Sequence, residues 1–137
     1  MRAPSSFDYA IVRLVPRVER GECLNVGVIL FCRTRRFLAA RIEVDSARLA
    51  AFAPGFDLGE AQEHLDLIPA ICAGGPNSGP IGRLPQSERF HWLVAPRSTI
   101  IQTSPVHSGL CVDPTASLEH LLATAVRMPV LGRDPGE

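Results

Sequence analysis

Lysine is missing from this 137-residue chain, and all 14 of its basic residues are arginine. The surface therefore presents forked, planar guanidinium donors rather than compact ammonium charges. Neither sign of charge dominates, because 14 acidic residues bring the formal net charge to zero. That balance removes the broad positive field of a nucleic-acid binder or of a protein drawn to anionic membranes, so nucleic acid is not an expected partner. Long apolar runs are absent too. The longest, Val26 to Cys32, falls far short of the roughly 20 residues that a helix needs to cross a bilayer. No membrane segment is expected. The N-terminal MRAPSSFDYAIVRLV, whose apolar run is broken by Asp8 and Arg13, lacks the charged-then-apolar order of a secretory signal. Residence in the cytoplasm is the corresponding expectation.

Cysteine is sparse: Cys23, Cys32, Cys72 and Cys111 form no C-x-x-C pair and have no histidine at zinc-ligand spacing. Free thiols in a reducing compartment are expected, with neither metal nor cofactor. The stretch GGPNSGPIG lacks the G-K-[ST] ending of a phosphate-binding loop, and no G-x-S-x-G nucleophile elbow occurs.

What is present suits one globular domain of 1–137, with an ordered core from about 7 to 128 and a frayed tail at 129–137. Phe7 to Val15 and Leu24 to Cys32, rich in β-branched and aliphatic residues, read as antiparallel strands around the polar PRVERGE. Phe37 to Val44 alternates into a third strand, with Phe37, Ala39, Arg41 and Glu43 on a wet face. Asp45 caps a short helix to about Phe52. Asp57 with Glu60 opens a second helix, whose Ala61, Leu65, Ile68 and Cys72 form a stripe and which Pro69 is expected to end or kink near Ile68. The Gly/Pro-rich 74–88 reads as a long loop, either a mobile lid or loose surface. Phe90 to Val94 and Thr99 to Thr103 read as short strands, and Asp113 with Pro114 opens a last helix. The fold class is thus α+β: an antiparallel or mixed sheet built on an N-terminal three-stranded meander, with about three helices packed on one face.

Two blocks, YAIVRLVPRVERGECLNVGVILFCR and ERFHWLVAPRSTIIQTSPVHSGLCVDP, resemble the bacterial family known as domain of unknown function 3037, and the similarity runs from about Phe7 to Met128. The family label carries no activity. Its members are often encoded beside a HipA-like kinase, so the resemblance implies a partner role in a toxin-antitoxin-like pair.

Several polar residues need a reason. Asn25 opens a face shared with Gly27, Ile29 and Phe31, where its amide either pins the adjacent loop or faces a ligand. Arg13, among Tyr9, Ile11 and Val15, calls for an acid such as Glu22 or Glu43, or for a bound anion. The segment from Ala95 to Gly109 gathers Arg97, Ser98, Thr99, Gln102, Thr103, Ser104 and His107. Such donors could hold a phosphate, but Ser/Thr-rich turns also cap their own backbone. The preferred reading is a non-enzymatic binding module, with Asn25, Arg97, Ser98, Gln102, Ser104 and His107 as candidate binding residues. Its partner would be a HipA-like kinase or another protein encoded nearby, and a homodimer through an exposed edge strand is a further expectation. The alternatives are a small enzyme or sensor for a phosphate-bearing ligand, using Arg97 and His107, and a nucleic-acid module using Arg33, Arg35, Arg36 and Arg41.

Overall fold

A computed structural model describes residues 3–97 and 99–128. The chain runs β1 (Ser5–Leu14), β2 (Leu24–Cys32), β3 (Phe37–Ile42), α1 (Ser46–Phe52), α2 (Leu58–Ala73), α3 (Gln86–Leu93), β4 (Ile101–Thr103), β5 (His107–Cys111) and α4 (Pro114–Leu121). A π-helical turn, Leu122–Val126, continues α4. The expected tail at 129–137 and Ser98 lie outside the described residues.

The three N-terminal strands form the expected meander, and the sheet is antiparallel in the order β3-β2-β1-β4, with β5 also on β1. β4 and β5 are one interrupted strand. Both lie along the same edge of β1, and the register slips by one residue between Thr103 opposite Val12 and His107 opposite Tyr9. Pro105 falls in the gap and has no amide to offer the ladder. Ser104 closes it: its amide donates to the Ile11 carbonyl at 2.9 Å, and its buried hydroxyl accepts from the Ile11 amide at 2.8 Å. A side-chain oxygen thus stands in for a missing backbone acceptor. β5 is not among the expected strands, because His107, Ser108 and Gly109, which open it ahead of Leu110 and Cys111, carry no β-propensity signal.

Both faces of the sheet are covered. Val12, Leu14, Leu24, Val26, Ile29, Phe31 and Leu38 pack against Leu49 of α1, Leu65 and Ile68 of α2, and Phe90 and Leu93 of α3. Three helices thus cover this face, but α3 stands where a strand was expected, and the helix expected after Asp113 lies on the other face. The opposite face, with Phe7, Ile11, Val28, Leu30 and Cys32, is closed by Leu118, Leu122 and Val126. The supposedly wet face of β3 is therefore partly dry: Phe37 and Ala39 pack on this second cluster, and Arg41 pairs with Glu119. Gly27 is needed where β2 meets β3, since a Cβ there would sit 2.7 Å from the Arg41 carbonyl oxygen.

The helix caps behave as the sequence suggests. Asp45 accepts from the amides of Ala47 and Arg48, Asp57 from Gly59 and Asp113 from Thr115. Pro69, however, does not end α2, which runs on to Ala73. Its final carbonyls have donors from elsewhere: Arg89 Nη1 reaches the carbonyls of Ile71 (2.9 Å) and Cys72 (2.8 Å), and the Gly74 amide returns to Ala70 and Ile71. Phe90 to Val94 is a second correction, since 86–93 is helical. Phe90 and Leu93 are buried while His91 and Trp92 are exposed, a three-residue spacing that a short apolar run does not distinguish from a strand. The loop from Gly74 consequently stops at Pro85. It is fastened, since Ser78 Oγ donates to the Gly75 carbonyl and Arg89 Nε to the Leu84 carbonyl.

All four cysteines are free, with Cys23 exposed and Cys32, Cys72 and Cys111 buried. Burial pushes the Cys72 thiol up to about 12, against a smaller opposing pull from Arg89. A thiol reagent at mildly alkaline pH should therefore modify Cys23 rapidly in the native protein and the other three only after denaturation; equal rates for all four would contradict this packing. Replacing Ser104 by Ala leaves the Ile11 amide unpaired in the interior, and chemical denaturation should show a loss of about 1–3 kcal/mol.

Candidate functional site

Three elements frame the clearest concave surface. The side of α2 that carries Glu60, His64, Leu67, Ile68 and Ile71 faces Trp92 and Leu93 of α3, and residues 99–103 leading through β4 form the third wall. The cleft encloses about 430 Å³, within the range of small ligand pockets. Its floor is apolar, made by Ile68, Ile71 and Leu93 with Ile100 and Ile101 alongside. Two large apolar side chains at the mouth remain in solvent, Leu67 at 46% and Trp92 at 42% of full exposure.

Arg97 belongs to this cleft. Its guanidinium carbon lies 4.5 Å from the centre of the Trp92 ring, while Nη2 donates to the Trp92 carbonyl (2.7 Å) and Nη1 to the Leu93 carbonyl (3.0 Å). One side chain thus caps the end of α3 and stacks on its indole. The cation is held in place at the rim by backbone oxygens, and among the described residues no carboxylate pairs with it. On the far wall, Glu60 supplies a negative charge and His64 an imidazole. The mouth is therefore electrically asymmetric across an apolar floor.

The remaining candidates separate. Gln102 and Thr99 reach the cleft wall, but Gln102 Nε2 donates to the Thr99 carbonyl, and the Thr99 hydroxyl to the Ile101 carbonyl. Ser104 serves the sheet, as described. Its hydroxyl hydrogen goes to the Pro105 carbonyl. Much of the polarity of 95–109 is thus spent on its own backbone. His107 lies on the opposite face of the sheet, its ring 5.4 Å from that of Tyr9. Arg97 and His107 consequently share no pocket.

Asn25 is also elsewhere, and on the other face from the one expected. Val26 is an extra residue in β2, since Asn25 pairs with Arg13 while Gly27 pairs with Val12. The resulting bulge turns Asn25 toward α4. There Nδ2 donates to the Ala125 carbonyl at 3.0 Å, beside Arg48 Nη1 on the Val126 carbonyl at 2.9 Å. Both fasten the end of the π-helical turn. Next to them Arg127 donates to Glu43, and that hydrogen bond holds the Glu43 carboxyl below the usual carboxylate range. Arg13 pairs with neither expected acid, since Glu22 is taken by Arg20 and Glu43 by Arg127, and among the described residues its buried Nε has no hydrogen-bond partner.

A larger hollow of about 700 Å³ lies between the β1–β2 connection and residues 52–56. It is open, and its charges neutralise one another as the pairs Arg17–Glu19 and Arg20–Glu22. It offers a ligand less than the apolar cleft does. Of the arginines proposed for nucleic acid, Arg41 is paired with Glu119, and Arg35 donates to Ser5 Oγ and the Ala3 carbonyl. Among the described residues no cluster of three or more His, Cys, Asp or Glu could hold a metal ion, and no helix is long and apolar enough to cross a membrane.

The sequence reading missed Trp92, Leu67, His64 and Glu60. For Leu67 and Trp92 the signal was a surplus of apolar residues, Leu67 lying off the Ala61–Leu65–Ile68–Cys72 stripe of α2 and Trp92 beside the buried Phe90 and Leu93 of α3; Glu60 and His64 read as ordinary helix-surface residues.

No curated protein and no solved structure shows significant similarity to this chain. Residues 9–126 match the family described as Protein of unknown function (DUF3037). That span holds the sheet except for the first four residues of β1, together with α1 to α4 and every wall of the cleft, and the chain belongs to the DUF3037 family.

Proposed function

We propose that the protein is a non-catalytic binding module and that the cleft between α2, α3 and β4 is its recognition site. The observation that carries this reading is the exposed Trp92 stacked beneath a backbone-anchored Arg97 at the mouth of an apolar hollow. Trp and Arg in desolvated pockets are the residue types that concentrate binding energy at protein interfaces. The expected partner element is an apolar side chain next to a carboxylate, the apolar group on Ile68, Ile71 and Leu93 and the acid toward Arg97. The family resemblance offers a HipA-like kinase, or another protein encoded nearby, as its source. The phosphate-directed enzyme reading needed Arg97 and His107 together, and the sheet stands between them.

Trp92 is the only tryptophan, so its fluorescence reports on the cleft alone. The probe 1-anilinonaphthalene-8-sulfonate joins an apolar ring system to one anionic group, and should bind the native protein with energy transfer from Trp92. Leu67→Glu and Arg97→Glu, both at exposed positions, should each weaken that binding at least about tenfold, near 1.4 kcal/mol, with unchanged circular dichroism. Probe binding that neither substitution affects would remove the cleft from consideration. Mixed with the HipA-like kinase at micromolar concentration, the protein should co-elute in size-exclusion chromatography, and Leu67→Glu should separate the two. Separate elution of the native pair would dismiss the kinase as the partner.

A further inference from the structure

The second unfinished surface is the free edge of β5. Among the described residues β5 pairs with β1 alone, so its outer edge carries backbone donors and acceptors with no described strand beside them. The Val15 amide donates to the Ile100 carbonyl and the Ser104 amide to the Ile11 carbonyl, so the odd-numbered residues of β1 face this side. Hydrogen-bonding direction alternates along a strand. His107, Gly109 and Cys111 therefore turn their backbone inward to β1, and Ser108 and Leu110 turn theirs outward.

Edges of this kind are ordinarily protected by charge, proline or a covering segment. This one has little protection. No Asp, Glu or Arg occurs from 98 to 112, and Pro105 lies before the strand rather than in it. Large apolar side chains are exposed along the same short length, Leu110 at 74%, Val112 at 50% and Val106 at 44%. Beside them an open hollow of about 450 Å³ lies between the strand and α4, lined by Phe7, Leu110, Val112, Ala116 and Leu121 among others. Gly109 lets the strand press against Phe7, since a Cβ there would lie 2.7 Å from the end of that ring.

We propose that β5 is a homodimer interface, in which two copies of the chain pair antiparallel through their β5 edges about a two-fold axis and join their sheets into one. A second copy suits this edge for an electrostatic reason. An isologous contact sets each residue type against the same surface of its twin, so like charges would meet; β5 itself carries none, and the neighbouring Asp8 lies one strand inward with its carboxylate accepting from the Ser108 hydroxyl. The outward backbone groups of Ser108 and Leu110 gain partners, and Leu110 and Val112 leave water. The cleft at α2, α3 and β4 stays open in the dimer, so this inference is independent of the recognition site proposed above.

Sedimentation equilibrium on the full chain at micromolar concentrations should give the mass of two chains. Leu110→Arg, at a solvent-exposed position, should raise the dissociation constant at least about tenfold without changing the circular dichroism, whereas Leu67→Glu in the cleft should leave it unaltered. Hydrogen exchange gives a reading without any variant: the Ser108 and Leu110 amides should gain protection as protein concentration rises. A single-chain mass throughout overturns the proposal, as does a dimer that Leu110→Arg leaves intact or whose Ser108 and Leu110 amides exchange freely.

Discussion

The architecture turns on the hydrogen bond from the Ile11 amide to the Ser104 hydroxyl. β1 lies inside the sheet and must find partners along both edges, yet the segment on one of them contains a proline. With the hydroxyl accepting in place of a carbonyl, the strand can break at Pro105 and resume at His107 without leaving a buried amide unpaired. The break also divides the labour of the edge. On one side of it, β4 lies over the three-helix face and walls the cleft; on the other, β5 extends past that cover and meets solvent.

Where structure follows from local chemistry, it could be read from the chain. The meander follows from runs of β-branched and aliphatic residues, and Asp45, Asp57 and Asp113 announce their helices because a cap needs only amides two or three residues away. Where distant segments decide, the reading fails for identifiable reasons. The bulge at Val26 sends Asn25 to the face opposite its alternation pattern, to a carbonyl 100 residues on. α2 runs past Pro69 to Ala73, and its closing carbonyls find donors on Arg89 of another helix, which nothing local to Pro69 announces. The dry side of β3 depends on α4, which no property of β3 itself reveals.

The site was half legible for the same reason. Arg97 and Gln102 stood out as polar residues in a segment with no evident structural duty, and both reach the cleft. Its other walls come from helices, where an apolar residue that faces a groove has the same local pattern as one that faces the core. Ser104 and His107 drew attention through polarity alone. One proved to be part of the sheet ladder and the other to rest on Tyr9.

Arg89 carries a consequence beyond the end of α2. From α3 its guanidinium reaches the carbonyls of Ile71, Cys72 and Leu84, so a single planar group ties α2, the connection after it and α3 into one body. Those two helices are opposing walls of the cleft. Their separation is thus fixed from within the protein, and in the recognition role proposed above an incoming side chain would meet a mould instead of shaping one. In that proposed role little ordering entropy would be left to lose on association, and selectivity would fall on the shape and charge of the visitor rather than on movement of the host.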